Sequence, residues 1–156
     1  MPPTRDELVE QLLRTMDVRL LDPLEILLDG DDVVDALRTV VRVRAEAWAH
    51  RLVDGDDREA VGTAMRIVST LYPGDGPFEP PLDWWRSPLG QVVARQVGHP
   101  TAGSVTYAVA GAMLGITRQG VHDLVNRGKL VRHPEGGVLP SSVRDRLLEE
   151  GRPRRV

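Results

Sequence analysis

The stretch Val105–Leu130, VTYAVAGAMLGITRQGVHDLVNRGKL, decides the fold of the half of the chain in which it lies. Its apolar spacing and its glycines predict two short helices joined by a sharp turn. Thr106 is placed to cap a first helix over Tyr107–Leu114, with Ala110, Met113 and Leu114 as its inward contacts. Gly115 ends that helix, where the chain needs a positive φ that a residue without Cβ adopts at little cost. Ile116 is expected to plug the angle between the helices, and the Thr117 hydroxyl to cap the second. The second helix runs Arg118–Arg127, turns Val121, Leu124 and Val125 inward, and stops at Gly128. Gly111 is small where the second helix must pass close to the first.

Facing outward on the second helix are Arg118, Gln119, His122, Asp123, Asn126 and Arg127. On a helix laid in the major groove these side chains would meet base edges, Arg forking onto guanine and Gln onto adenine. The same residues equally suit the solvated face of an αα-hairpin, because two-helix corners are common.

The segment beyond the second helix bears on that choice. Leu130–His133 and Val138-Leu139 are strand-like runs around Pro134-Glu135-Gly136-Gly137, a loop that suits a tight hairpin. Pro140–Leu148 then reads as a helix with Val143, Leu147 and Leu148 on one side. In this order of helix, turn, helix, hairpin and helix, the segment resembles the winged helix-turn-helix of the MerR and excisionase families. The residues that carry the resemblance are Thr106, Ala108 to Ala112, Met113-Leu114-Gly115-Ile116-Thr117-Arg118, Gly128-Lys129-Leu130, Gly136-Gly137 and Leu139-Pro140. They span about the last third of the chain.

The resemblance implies a module that reads double-stranded DNA. Arg118, Gln119 and His122 would touch bases, and Arg127, Lys129, Arg132 and His133 would hold phosphates or reach along the groove. Thr117 and Asn126 complete the expected DNA-binding set. MerR-type regulators carry this module first and follow it with a long dimerising helix, whereas here only Gly151–Val156 comes after it. Metal or drug sensing is therefore not implied. The Arg152–Arg155 tail would either follow the DNA backbone or fray into solvent.

Composition narrows the remaining classes. With no cysteine in 156 residues, disulfides, thiolate metal sites and cysteine nucleophiles are excluded. Aromatics make up only 4%, so aliphatic side chains must build the core. No glycine-rich phosphate loop, catalytic triad or metal-spaced cluster occurs, which argues against an enzyme and predicts no cofactor. No long apolar run predicts a membrane span, and the opening MPPTRDELVE lacks a signal-peptide core, so a cytoplasmic, nucleoid-associated protein is expected. The formal charge of −3 conceals an asymmetry. Residues 1–85 hold 9 basic and 18 acidic side chains, net −9, while residues 86–156 hold 11 basic and 5 acidic, net +6. The positive half coincides with the motif, as phosphate attraction requires.

Residues 1–72 predict an acidic, all-helical domain. Thr4–Met16 is an amphipathic helix opened by a Thr4/Glu7 capping box, with Leu8, Leu12 and Leu13 inward. A short helix around Pro23 should end at Asp29-Gly30. A long helix over Asp32–Val53 shows a stripe through Val33, Leu37, Val40, Val41, Arg44, Trp48 and Leu52, widened by Val34 and Ala45. A last helix, Arg58–Leu71, should bury Val61, Met65, Val68 and Leu71. This domain would pair two copies into a homodimer or receive a protein partner. Residues 73–103 read as a Pro/Gly-rich connector with a linking helix, in which Trp84 and Trp85 either pin the linker against a domain or stack on bases or a ligand. Residues 104–150 read as the winged helix-turn-helix before the basic tail 151–156. The expected architecture is thus mainly α, a helical bundle followed by a winged helix-turn-helix with a small β-hairpin. The expected function is transcriptional regulation, with an excisionase-like architectural factor, a DNA-binding antitoxin or a pure protein-interaction module as alternatives.

Overall fold

In a computed structural model, which describes residues 2–30 and 32–151, the chain divides into two compact units, Pro3–Pro73 and a second from Gly74 onward. The tail at Arg152–Arg155 lies outside the described residues. The fold is mainly helical, and no helix among the described residues is long and apolar enough to cross a membrane.

The first unit begins with α1, Arg5–Met16. Its capping box is closed in both directions: the Glu7 N–H donates to Thr4 Oγ1 at 3.2 Å and the Thr4 N–H to Glu7 Oε2 at 2.8 Å. A π-helical turn, Asp17–Leu21, leads into α2, Asp22–Leu27, which ends where Asp29 and Gly30 both take positive φ. The long helix α3, Asp32–Asp54, packs on α1 and on α4, Asp57–Leu71. An ion pair from Arg5 to Asp54 fastens the start of α1 to the end of α3. At the other end Arg38 reaches Asp17 at 2.7 Å, Asp22 at 2.8 Å and Glu25 at 3.2 Å. The Asp22 hydrogen bond foremost, against a smaller opposing effect of burial, raises the Arg38 pKa, with Asp17 and Glu25 adding to it.

Of the stripe expected on α3, Leu52 and the widening residues Val34 and Ala45 are fully buried, joined by Ala49. The row of larger aliphatics is not, and Val33 and Val40 stay 58% and 53% exposed. At about 100° per residue, the buried row lies roughly a quarter-turn round from the row of larger aliphatics. On α4 the face is likewise set by alanine: Ala60 and Ala64 are wholly buried, with Ile67, Val68 and Leu71 behind them. Small side chains thus fill much of the buried face of both helices, and Gly55 lies at the corner between them, where a Cβ would run into the Arg51 carbonyl.

The second unit absorbs the segment expected as a connector. α5, Leu82–Arg86, and α6, Pro88–Gln96, pack on each other across Gly90, which has no room for a Cβ beside the Trp84 carbonyl. Trp85 is 1% exposed and lies in an aromatic cluster with Phe78, Trp84 and His99, so it is walled off from any base. Gln91 Nε2 donates to the carbonyls of Trp85 at 2.7 Å and Met113 at 2.9 Å, joining α5 and α6 to α7, Tyr107–Leu114. α8, Arg118–Asn126, comes after α7, and α9, Pro140–Glu150, closes the unit against α6 and α7. Two arginines cross between α6 and α9: Arg95 Nη1 donates to the Leu147 carbonyl at 3.3 Å and Arg144 Nε to the Gln96 carbonyl at 3.1 Å.

The expected β-hairpin wing is not formed. Among the described residues there is no strand, only isolated bridges that pair Val138 with Val105 and with Arg132. The run is too short to become a ladder. The two runs meet at the single bridge of Arg132 with Val138, flanked by the His133 N–H to the Gly137 carbonyl and the Leu139 N–H to the Val131 carbonyl, both at 2.9 Å. Pro134 then turns the chain, and Pro140 starts α9 directly after Leu139. The Val131 N–H goes to Ser142 Oγ instead of to a strand, while Val138 commits both backbone groups to Val105 at 2.8 and 3.0 Å. Residues 131–139 are therefore a loop tied to the body of the unit.

Candidate nucleic-acid interface

The turn between α7 and α8 is built from the backbone outward. Thr106 Oγ1 accepts the Val109 N–H at 3.1 Å to open α7. Gly115 closes it in the left-handed region, φ 72° and ψ 30°, and the N–H groups of Gly115 and Ile116 both donate to the Gly111 carbonyl. A Cβ at Gly111 would stand 2.8 Å from the Ile116 carbonyl oxygen, so the close approach there is to the turn backbone. Thr117 Oγ1 accepts the Gly120 N–H at 3.0 Å and thereby caps α8. Ile116 is not a buried plug: it is 36% exposed and lies over Gly120. Val121 is fully buried, and Leu124 and Val125 partly so. Beyond α8, Gly128 takes φ 71° and the Lys129 N–H returns to the Leu124 carbonyl at 2.8 Å.

Arg118, Gln119, His122, Asp123 and Asn126 are displayed on the side of α8 that their spacing sets opposite Val121. Arg118 and His122 also line a cleft of about 390 Å³ with Ser104, Thr106, Tyr107, Gly136 and Gly137. The His122 ring meets Tyr107 edge-on at 4.3 Å, which fixes its direction. Gln119 Nε2 donates to Asp123 Oδ1 at 3.3 Å, so its amide is pre-oriented along the helix. Ser104 Oγ donates to the Gly136 carbonyl at 2.6 Å and holds the loop against the start of α7.

The other expected residues stand apart from that cleft. Asn126 and Arg127 close α8, Lys129 comes just after it, and Arg132 is exposed on the loop. His133 is half-buried, and its Nδ1 accepts the Glu135 N–H at 3.0 Å, so it braces the turn. The Thr117 hydroxyl is occupied by the cap. Tyr107 and Ser104, by contrast, join the cleft although the sequence pointed to neither. Their role depends on the loop folding back onto α7, which no local pattern announces.

Charge is distributed unevenly over this unit. Arg86 pairs with Asp83, Arg146 with Glu150, and Arg95 and Arg144 with backbone carbonyls. Among the described residues, the side chains of Arg118, Arg127, Lys129 and Arg132 have no such partner. No protein-family model, curated protein sequence or solved structure matches this chain.

Proposed function

We propose that the second unit binds double-stranded DNA, that α8 reads the major groove, and that the protein is a transcriptional regulator. The observation that carries this reading is the division of the unit's cations. Those elsewhere on the described surface are tied to carboxylates or carbonyls, while Arg118, Arg127, Lys129 and Arg132 on α8 and the loop after it are free. Unpaired cations beside a row of amide and imidazole side chains suit phosphates and base edges together. Arg118 and Gln119 are assigned to bases, His122 and Asn126 to the same groove, and Arg127, Lys129 and Arg132 to phosphates. Asp123 on the same row suits the amino group of cytosine.

One module of this size buries only about 600–1,000 Å² on DNA, so useful affinity calls for two copies. The exposed apolar residues of the first unit supply a pairing surface for this reading: Ile26 and Leu27 of α2 are 76% and 77% exposed, and Val33, Leu37, Val40 and Val43 continue along α3. Exposed aliphatics in such number suit an association surface, and C2 homodimers are the commonest soluble oligomers. Half-sites about one helical turn apart are then expected.

The test is selection from a randomised duplex library on the purified protein at two salt concentrations, with Arg118→Ala/Gln119→Ala run in parallel. A discrete recovered site, lost in the variant, supports the reading. Arg118→Ala alone should weaken that site by about 1–3 kcal/mol. Arg132→Ala should weaken all sequences alike. Salt-sensitive retention without a discrete site would favour an architectural role, and no retention at either salt would remove DNA from the account.

A further inference from the structure

The first unit contains a groove that its own packing does not explain. It opens between α3 and α4, holds about 270 Å³, and is floored by the buried side chains of Met16, Ile67 and Leu71. Trp48 is half-buried in one wall, and Arg51 stands one helical turn further along the same helix. Thr63, Arg66 and Thr70 form the other wall, at the three- and four-residue spacing that puts them on one face of α4.

The groove is lined by two cations and no acid, within a unit whose net charge is negative. Residues 3–73 carry 15 acidic and 9 basic side chains. Arg5, Arg14 and Arg38 find carboxylates among them, while Arg42, Arg44 and Arg58 have no hydrogen-bond or ion-pair partner among the described residues. No Asp or Glu lines the groove, and neither the Arg51 nor the Arg66 guanidinium has a hydrogen-bond or ion-pair partner among the described residues. A third cation reinforces one end: Arg19 lies 4.2 Å over the Tyr72 ring and donates to the carbonyl of Leu71. Like charges brought together without a counter-charge repel, and an anion bound between them relieves that repulsion. The indole and the aliphatic floor offer a flat apolar body a place out of water.

We propose that this groove is a binding site for a small amphipathic carboxylate, its acid group held by Arg51 and Arg66 and its apolar body laid on Trp48 over Met16, Ile67 and Leu71. The volume equals roughly nine waters at ~30 Å³ each, which limits the body to about one aromatic ring and a short chain. The Thr63 and Thr70 hydroxyls complete the rim as donors to the carboxylate. The site stands independently of the DNA reading, since it uses no residue of the second unit.

The experiment is calorimetric titration of the full-length protein with phenylbutyrate, and with phenylbutanol as a probe of the same apolar body without charge. Intrinsic fluorescence is followed in parallel in the wild type and in Trp48→Phe. The acid should bind at least ~10-fold more tightly than the alcohol, since it gains charge-assisted hydrogen bonds. Arg51→Gln/Arg66→Gln should abolish that preference, and so should Thr70→Glu, an exposed substitution that sets a carboxylate on the rim without touching the core. The fluorescence change should disappear in Trp48→Phe. Equal affinity for acid and alcohol, unchanged binding of the acid in either charge variant, a fluorescence response that survives Trp48→Phe, or no heat with phenylbutyrate would each overturn the site.

Discussion

The two units contrast in how their helices come together. In the second, positions are dictated by backbone conformation: Gly115 and Gly128 at positive φ, Thr106 and Thr117 as caps, and Gly90 and Gly111 where another backbone leaves no room for a side chain. In the first, the buried faces of α3 and α4 are rich in alanine, and the larger aliphatics of α3 turn partly outward. Caps and positive-φ glycines are local features and can be recognised one residue at a time. Which face of a helix is covered is a relation between that helix and its neighbours. It shows only when the partner is in place.

Four substitutions break or sharpen this contrast, in descending order of effect. Trp85→Ala removes a large side chain from the aromatic cluster of the second unit, where it is 1% exposed, and should cost about 3–5 kcal/mol in urea unfolding. A loss under about 1 kcal/mol would mean that the cluster is not the core of that unit. Ala64→Leu forces a larger side chain into the fully buried face of α4 and should cost about 1–3 kcal/mol. Gly115→Ala puts a Cβ into a left-handed turn and should cost about 1–2 kcal/mol, read from the melting temperature. Leu37→Asn, the counterpart of Ala64→Leu on the partly exposed row, should leave the unfolding free energy of the isolated monomer within about 0.5 kcal/mol. If Leu37→Asn proved more damaging than Ala64→Leu in dilute solution, the assignment of the inner face of α3 would be reversed.

The smallest effect is one of pH. Burial lowers the pKa of His99, against a weaker opposing influence of the Phe78 backbone and of Glu79. Its Nδ1 accepts the N–H groups of Thr101 at 3.1 Å and Ala102 at 2.9 Å, which requires the neutral ring. A depressed pKa in the folded state means that the unfolded chain takes up the proton first. The stabilisation from His99 is therefore fully present above about 6.5, the unperturbed value, and is lost as pH falls through the lower folded value. Urea midpoints measured downward from neutral pH should show this loss, and His99 should titrate by NMR below the ordinary histidine range. A His99 that titrates above that range would reverse the sign.

Much of the second unit was legible residue by residue. The Thr106 and Thr117 caps, the Gly115 turn, the inward Val121 and the outward row from Arg118 to Asn126 come from local chemistry, and all of them stand in the structure. The hairpin was not legible in that way. Two short β-prone runs around Gly136-Gly137 look alike whether they extend into a ladder or stop at one bridge. Here they meet only around Arg132 and Val138, and the other side of Val138 goes to Val105. The placement of Tyr107 against His122 was hidden for the same reason, because those residues belong to different helices.

Sequence alone determined the helix ends, the charge asymmetry and the exposed row of α8, because caps, glycines and helical spacing act within a few residues of one another. Tertiary structure decided which face of α3 lies inside, that Trp85 belongs to a core, that residues 131–139 form a loop, and which arginines keep a free charge. Each of those outcomes depends on what arrives from a distant part of the chain to cover a surface or answer a charge. Free energies of burial and pairing belong to the contact, and a contact has no address in a single stretch of sequence.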